Sequence, residues 1–135
     1  MLAKKTRYAM LAMIKLAREY KAGPVPVSRI ADSEKMPKRF LEGILLELKN
    51  LGFVGSVRGK TGGYFLAQEP AQISLYQIVA TFEKPMGMLA CVCPEAYRQC
   101  EFYKDEEKCK LRKTFKYIHD STSAVLNNTT LQDLM

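Results

Sequence analysis

The chain has 135 residues, of which 47% are apolar, and a formal net charge of +7. This length and composition suit one globular domain with a buried core. No apolar run approaches the roughly 20 residues that a membrane-spanning helix needs, so no membrane partner is expected. The opening MLAKKTRYAM lacks an apolar leader segment, which favours a cytoplasmic protein.

The basic excess lies in the N-terminal half of the chain. Up to Gln68 there are 13 Lys and Arg against 5 Asp and Glu, and from Glu69 onward there are 8 against 9. A basic half is typical of a protein that binds nucleic acid. The alternative is a solvated surface that carries lysines for solubility.

Three helices are predicted in this basic half. Apolar residues at three- and four-residue spacing predict the first from Thr6 to Tyr20, and KAGPVP ends it because glycine and proline cannot continue a helix. A short second helix begins at Val27, and Pro37 opens the third at its first helical position. Gly43 costs the third helix about 1 kcal/mol relative to alanine. Two explanations fit that cost. Either another backbone or DNA approaches closely at Gly43, or the glycine is a neutral substitution without a role.

Two short strands, 53–58 and 63–67, are predicted on either side of the turn GKTGG. The turn is not a phosphate-binding P-loop, because the required first glycine would fall on Val54 and because Gly63 leads into a strand instead of a helix. Three helices followed by a hairpin with a basic tip are the order of a winged helix-turn-helix. The predicted fold class is therefore mainly α with a small β wing.

In this arrangement the third helix can lie in the major groove of DNA. Glu42 can accept a hydrogen bond from cytosine there, and the alternative is a helix salt bridge with Lys38 or Arg39. Cations of the wing can reach phosphates or the adjacent minor groove. The predicted DNA-binding residues are Arg7, Tyr8, Ser28, Lys38, Arg39, Phe40, Glu42, Ser56, Arg58, Gly59 and Lys60.

A helix-like segment at 73–83 is followed by a long C-terminal helix at 111–126. The long helix has a heptad-like seam, whose residues recur at alternating steps of four and three: Leu111, Phe115, Ile118, Thr122 and Val125. A small winged domain covers only part of such a helix, so we predict a homodimer; packing of the seam on its own domain is the alternative. The predicted organisation is a DNA-binding domain over 1–83, a cysteine loop over 84–109, and a dimerisation helix with its tail over 110–135.

All four cysteines lie in the stretch CVCPEAYRQCEFYKDEEKC, at Cys91, Cys93, Cys100 and Cys109. In a reducing cytoplasm, clustered cysteines favour metal ligands or redox thiols over disulfides. Four thiolates suit a [2Fe–2S] or [4Fe–4S] cluster or tetrahedral zinc. The paired C-x2-C knuckles of a structural zinc site are missing, so iron–sulfur is the first prediction. Zinc and a thiol/disulfide switch are the alternatives.

Four stretches of the chain carry a family resemblance: RYAMLAMIKLA, AGPVPVSRIA, FLEGILLELKNLGFVGSVRGKTGGYFLA and VLNNTTLQDL. In order, and over nearly the whole chain, they resemble the IscR/NsrR-type (Rrf-two) winged-helix transcription regulators of bacteria. The resemblance implies a dimeric DNA-binding regulator. Many members carry an iron–sulfur cluster on cysteines between the wing domain and the dimerisation helix, and others carry none.

The resemblance also implies that Cys91, Cys100 and Cys109 are the three cysteine ligands of such a cluster. No counterpart of the usual fourth ligand is present, because Arg112 stands where a histidine is expected and residues 4–8 include no acid. Cys93 is the natural substitute and would complete an all-cysteine site, or else one thiol of the C-x-C pair is spare. His119, the only histidine, is expected to be a surface or seam residue.

An enzyme is not predicted, because the chain shows no nucleophile–base pair and has a single histidine. No small-molecule substrate is expected either. A cluster would order the cysteine loop, so its loss, oxidation or nitrosylation would change DNA affinity. The alternative function is a zinc-bound or thiol-switch interaction module without a cluster, whose basic face binds RNA or an acidic protein.

Overall fold

The computed structural model describes residues 2–84, 86–102 and 105–135. The regular elements of these ranges are α1 (Lys4–Arg18), α2 (Val27–Glu34), α3 (Lys38–Asn50), β1 (Val54–Val57), β2 (Gly63–Leu66), α4 (Leu75–Phe82) and α5 (Lys110–Asn128). Short 3-10 turns occupy Pro70–Gln72, Ala90–Val92, Pro94–Ala96, Glu106–Lys108 and Gln132–Leu134. Three helices, a hairpin and a long C-terminal helix confirm the predicted fold class.

The first three helices pack their apolar faces around one core. Large side chains that are fully buried include Met13, Leu16, Val25, Ile30, Leu41, Ile44, Leu45, Leu48, Ile73, Ile78, Val79 and Leu131. The start of α3 differs from its prediction. Pro37 is the extended residue before the helix, with φ −61° and ψ 125°, and Lys38 is the first helical residue.

The wing is attached to the segment that precedes α2. β1 and β2 pair in antiparallel register, with Val54 opposite Leu66. Val25 exchanges two backbone hydrogen bonds with Tyr64, at 2.8 and 2.9 Å. A Cβ atom at Gly63 would lie 2.2 Å from the Val25 carbonyl oxygen, so only glycine allows this close approach. The attachment fixes the direction of the wing relative to α2 and α3.

The C-terminal tail returns to the winged-helix core. Ser74 caps α4 by accepting the Gln77 N–H, while the Gln77 side chain accepts the Ser74 N–H. Beside this cap, the Leu75 N–H donates to the Thr129 carbonyl at 2.8 Å, and the Leu131 N–H donates to the Ile73 carbonyl at 3.0 Å. The tail therefore belongs to the same core as α1 to α4.

The helix α5 contributes little to that core, since none of its residues is fully buried. One of its faces, which includes Phe115 and His119, is half-buried, and the remainder is exposed. In the part of the chain that the structure describes, no helix is both long and apolar enough to cross a membrane.

Glu83 connects the end of α4 to the start of α1. Its Oε1 accepts hydrogen bonds from the Thr6 hydroxyl at 2.5 Å and from the Ala3 N–H at 2.6 Å, and Thr6 is fully buried. The hydrogen bond from Thr6, followed by that from Ala3, lowers the pKa of Glu83 below its ordinary value of 4.5.

Replacing Glu83 by glutamine is expected to lower the free energy of unfolding by about 1 kcal/mol near pH 7, because a charged acceptor is lost from a partly exposed site. Since folding lowers this pKa, the contribution is present above pH 4.5 and is lost as pH falls through the folded value. Urea unfolding at about pH 7 and about pH 3 should show the difference from wild type shrinking in acid. Glu69→Gln, at an exposed carboxylate, is the control, and a difference independent of pH would contradict this account.

Candidate nucleic-acid interface and cysteine cavity

The start of α3 presents the predicted DNA-contacting side chains to solvent. Lys38, Arg39, Phe40 and Glu42 are all exposed. The Phe40 ring packs edge-on against Tyr8 of α1, with 5.6 Å between the ring centroids. Among the described residues no ion pair joins Glu42 to Lys38 or Arg39. The Glu42 carboxylate therefore forms no ion pair with these two described cations of its own helix.

Gly43 lies on this same exposed face. A Cβ atom at Gly43 would meet no atom of the described residues within 4 Å. The packing of this chain thus gives no reason for a glycine here, and the close approach of DNA stays a prediction.

The tip of the wing carries two exposed cations, Arg58 and Lys60. Gly59 adopts a φ of +112°, which side-chain-bearing residues rarely adopt. A Cβ atom at Gly62 would lie 2.1 Å from the Val57 carbonyl oxygen, so the turn also depends on that glycine. The remaining predicted contacts are Arg7 and Ser28, which are exposed, and Ser56, which is half-buried.

Three of the four cysteines line one cavity at the start of α5. Cys91, Cys100 and Cys109 contribute to its wall, and its volume is about 530 Å³. Cys91 comes from the turn Ala90–Val92, whereas Cys109 precedes the first residue of α5 and accepts the Arg112 N–H at 3.4 Å. All four cysteines are free thiols. The fold therefore brings together three thiols that are separated along the sequence.

The fourth cysteine, Cys93, does not line this cavity. Its buried thiol donates to Glu95 Oε2 at 3.3 Å, and Tyr76 donates its hydroxyl to Glu95 Oε1 at 3.1 Å. The pKa of Glu95 is lowered by two hydrogen bonds that its carboxylate accepts, first from the backbone N–H of Glu95 itself and then from the Cys93 thiol. Cys93 lines a separate cavity of about 190 Å³ together with Cys91 and His119. Only Cys91 of the C-x-C pair contributes to the larger cavity.

Glu106 connects several segments of the wall of the larger cavity. It accepts the Tyr97 hydroxyl at 2.7 and 2.8 Å and the Cys100 N–H at 3.3 Å. The hydrogen bond to Glu106 raises the pKa of Tyr97. Glu106 Oε2 also lies 3.6 Å from Arg112 Nε, a buried atom that lacks a hydrogen-bond partner among the described residues. Glu106 is not among the predicted site residues, because an acidic run such as DEEK is typical of a solvated loop.

The cavity is lined by three soft donors, the thiols of Cys91, Cys100 and Cys109. Within residues 2–84, 86–102 and 105–135, no three His, Cys, Asp or Glu side chains are close enough to hold one metal ion. Tetrahedral zinc needs four donors at about 2.0–2.3 Å from one point. An iron–sulfur cluster is a larger body whose ligands lie farther apart, and its thiolate-ligated core is negative. Three cysteine thiols, and a guanidinium whose Nε has no hydrogen-bond partner among the described residues, suit the thiolate ligation and the negative charge of such a cluster.

Comparison with known proteins gives concordant results. The family described as Rrf2, iron-dependent transcriptional regulator, matches residues 2–135. An Rrf2-like HTH-type transcriptional regulator of Rhodobacter capsulatus is 35% identical over 138 residues, which cover 100% of this chain and 92% of that protein.

Solved structures agree with this assignment. The structure of CymR, the global cysteine regulator of B. subtilis, has a TM-score of 0.83 at 31% identity and covers 99% of this chain and 95% of that one. The structure of T. potens IscR has a TM-score of 0.76 at 28% identity, with 99% and 85% covered. These proteins are regulators and not enzymes, which confirms the prediction of a non-enzymatic role. The chain belongs to the Rrf2 family of transcriptional regulators.

Proposed function

We propose that this regulator is a cytoplasmic homodimer that binds double-stranded DNA, and that Cys91, Cys100 and Cys109 hold an iron–sulfur cluster. The main support for a cluster at this site is that these three thiols line one cavity of about 530 Å³. The family description, iron-dependent transcriptional regulator, supports it.

Residues of this chain would both hold the cluster and offset its charge. When bound, such a cluster supplies a redox-active centre whose potential responds to hydrogen bonding and exposure. Arg112 offers a positive charge beside the thiols and an Nε–H that no described residue accepts as a hydrogen bond. Cys109, at the N-terminus of α5, occupies a position where helix dipoles stabilise negative charge. Because Cys91 lies in the loop and Cys109 adjoins α5, ligation would fix α5 relative to the loop.

The exposed face of α5 supports the homodimer. Leu111, Ile118 and Val125 recur every seven residues, and they are 63%, 39% and 66% exposed. Residues at this spacing lie along one face of a helix, and a second copy of the same helix would cover them. A two-fold dimer would present two α3 helices and two wings to two half-sites of DNA.

The DNA contacts are tested by matched substitutions. Arg39→Ala and Lys60→Ala should each weaken binding to the chain's own upstream DNA, because both cations are exposed on the proposed interface. Lys60→Ala should also reduce the slope of log affinity against log salt by about 1, as expected for one lost phosphate contact. Lys113→Ala, an exposed cation of α5, is the control. Wild-type affinity in both variants would contradict the assignment of the groove and the wing.

The cluster is tested on protein purified without oxygen. Iron and acid-labile sulfide should copurify with the chain, which should absorb visible light. Substitution of Cys100 by alanine should remove most of that iron, while Cys93→Ala should retain it, because Cys93 does not line the larger cavity. Colourless wild-type protein without iron would contradict the cluster.

A thiol switch without a cluster is the second candidate. Cys91 and Cys93 are free thiols that share a small cavity, and the structurally similar CymR is described as a cysteine regulator. Iron-free protein whose DNA affinity changes reversibly with a thiol oxidant and a reductant would favour this candidate.

A further inference from the structure

We propose that Glu106 supplies the fourth ligand of the cluster, through a carboxylate oxygen. This inference rests on the proposed function. It assigns a ligand to the position for which the sequence offered Cys93.

The choice follows first from the groups that line the larger cavity. Besides the three cysteines, its ionisable side chains are Arg98, Glu101, Glu106 and Arg112. Arginine stays protonated in proteins and cannot bind a metal. The two glutamates are therefore the candidates, since Cys93 contributes to a different cavity and donates its thiol to Glu95.

Burial and position separate the two glutamates. Glu101 is exposed, whereas the Glu106 side chain is only 16% exposed. The 3-10 turn Glu106–Lys108 places Glu106 three residues before Cys109, whose N–H donates to the Glu106 carbonyl at 3.2 Å. The Glu106 carboxylate also accepts the Cys100 N–H at 3.3 Å. Glu106 thus lies against the segments that carry two of the three thiols.

The partners of Glu106 are those that a ligating carboxylate needs. Metal-bound carboxylates are themselves hydrogen-bonded, which fixes their orientation. Tyr97 donates its hydroxyl to both Glu106 oxygens, and Arg112 Nε lies 3.6 Å from Oε2 without making a hydrogen bond. Oε1 accepts from both Tyr97 and the Cys100 N–H, which uses its two lone pairs, whereas Oε2 accepts only from Tyr97. Oε2 therefore keeps a lone pair with which Glu106 can bind iron while Tyr97 and Arg112 orient it.

The test compares Glu106→Gln, Glu106→Cys and Glu101→Gln in full-length protein produced without oxygen. Glu106→Gln should release iron to a chelator at least about tenfold faster than wild type, with an altered electron paramagnetic resonance spectrum after reduction. Glu106→Cys should retain iron as wild type does, but with a shifted midpoint potential, because a thiolate replaces the oxygen ligand. Glu101→Gln should match wild type in both measurements. Thermal unfolding of the variants checks that they are folded.

The outcomes separate this inference from the proposed function. If Glu106→Gln keeps wild-type iron retention and spectrum, the inference is overturned and the cluster stands. If Glu106→Cys loses iron as fast as Glu106→Gln, Glu106 only orients the loop, and the inference is again overturned. A wild-type chain that binds no iron overturns the proposed function, and this inference with it.

Discussion

Truncation of Leu131 to alanine is expected to lower the free energy of unfolding by about 2–5 kcal/mol, the range for a leucine removed from a packed core. Leu131 is 0% exposed and belongs to the cluster formed by α1, α2, α3 and the hairpin. Its N–H donates to the Ile73 carbonyl, so the backbone around it is also fixed. The cavity left by the substitution would border the start of α4.

Urea or thermal unfolding of the full chain measures this effect. Leu51→Ala is the matched control, because Leu51 is 56% exposed and loses little apolar contact when truncated. A shortened chain that ends at Asn128 should be destabilised at least as much as Leu131→Ala. A loss below about 0.5 kcal/mol in Leu131→Ala, within the range of ordinary surface changes, would show that the tail is not part of the core.

The position of this tail shows where the sequence pattern stops being informative. The periodic apolar residues of α1, α3 and α5 predicted these helices to within two or three residues, because each has enough turns for its face to be recognised. The segment after α5 forms a single turn, Gln132–Leu134, and has no period of its own. Its burial comes from a long-range pairing of Ser74 with Thr130, which no local pattern encodes.

The same limit explains what could be predicted of the cysteine site. Clustering along the sequence was enough to indicate a metal or redox site, and it named all four thiols. It could not tell which of them face one another. The 3-10 turns Ala90–Val92 and Pro94–Ala96 leave both Cys91 and Cys93 beside the small cavity, but only Cys91 also lines the larger one. Glu106 could not be distinguished from its acidic neighbours, because its hydrogen bonds with Tyr97 and Cys100 depend on the folded loop.

Replacing Ile118 by aspartate should convert the proposed dimer to a monomer. Ile118 lies midway between Leu111 and Val125 on the uncovered face of α5, where a two-fold interface would bury one carboxylate from each copy. Burying an unpaired charge is costly, and the second copy would bring a second like charge into the same interface. We expect dimer dissociation to become at least about tenfold more favourable, a change of about 1.4 kcal/mol. Sedimentation or light scattering over a range of concentrations measures it.

Ala124→Asp is the control for this substitution. Ala124 is an exposed residue of the same helix, and at 100° per residue it lies about 120° around the axis from Ile118. It therefore introduces the same charge outside the proposed interface, with a loss of helix propensity at least as large as that of Ile118→Asp. The monomeric Ile118→Asp protein should keep its winged-helix fold, because the core of α1 to α4 does not include Ile118. Its DNA affinity should fall to that of a single half-site, whereas Ala124→Asp should bind as wild type does. If Ile118→Asp stays dimeric, the proposed pairing of α5 is wrong, and this apolar face must be covered in another way.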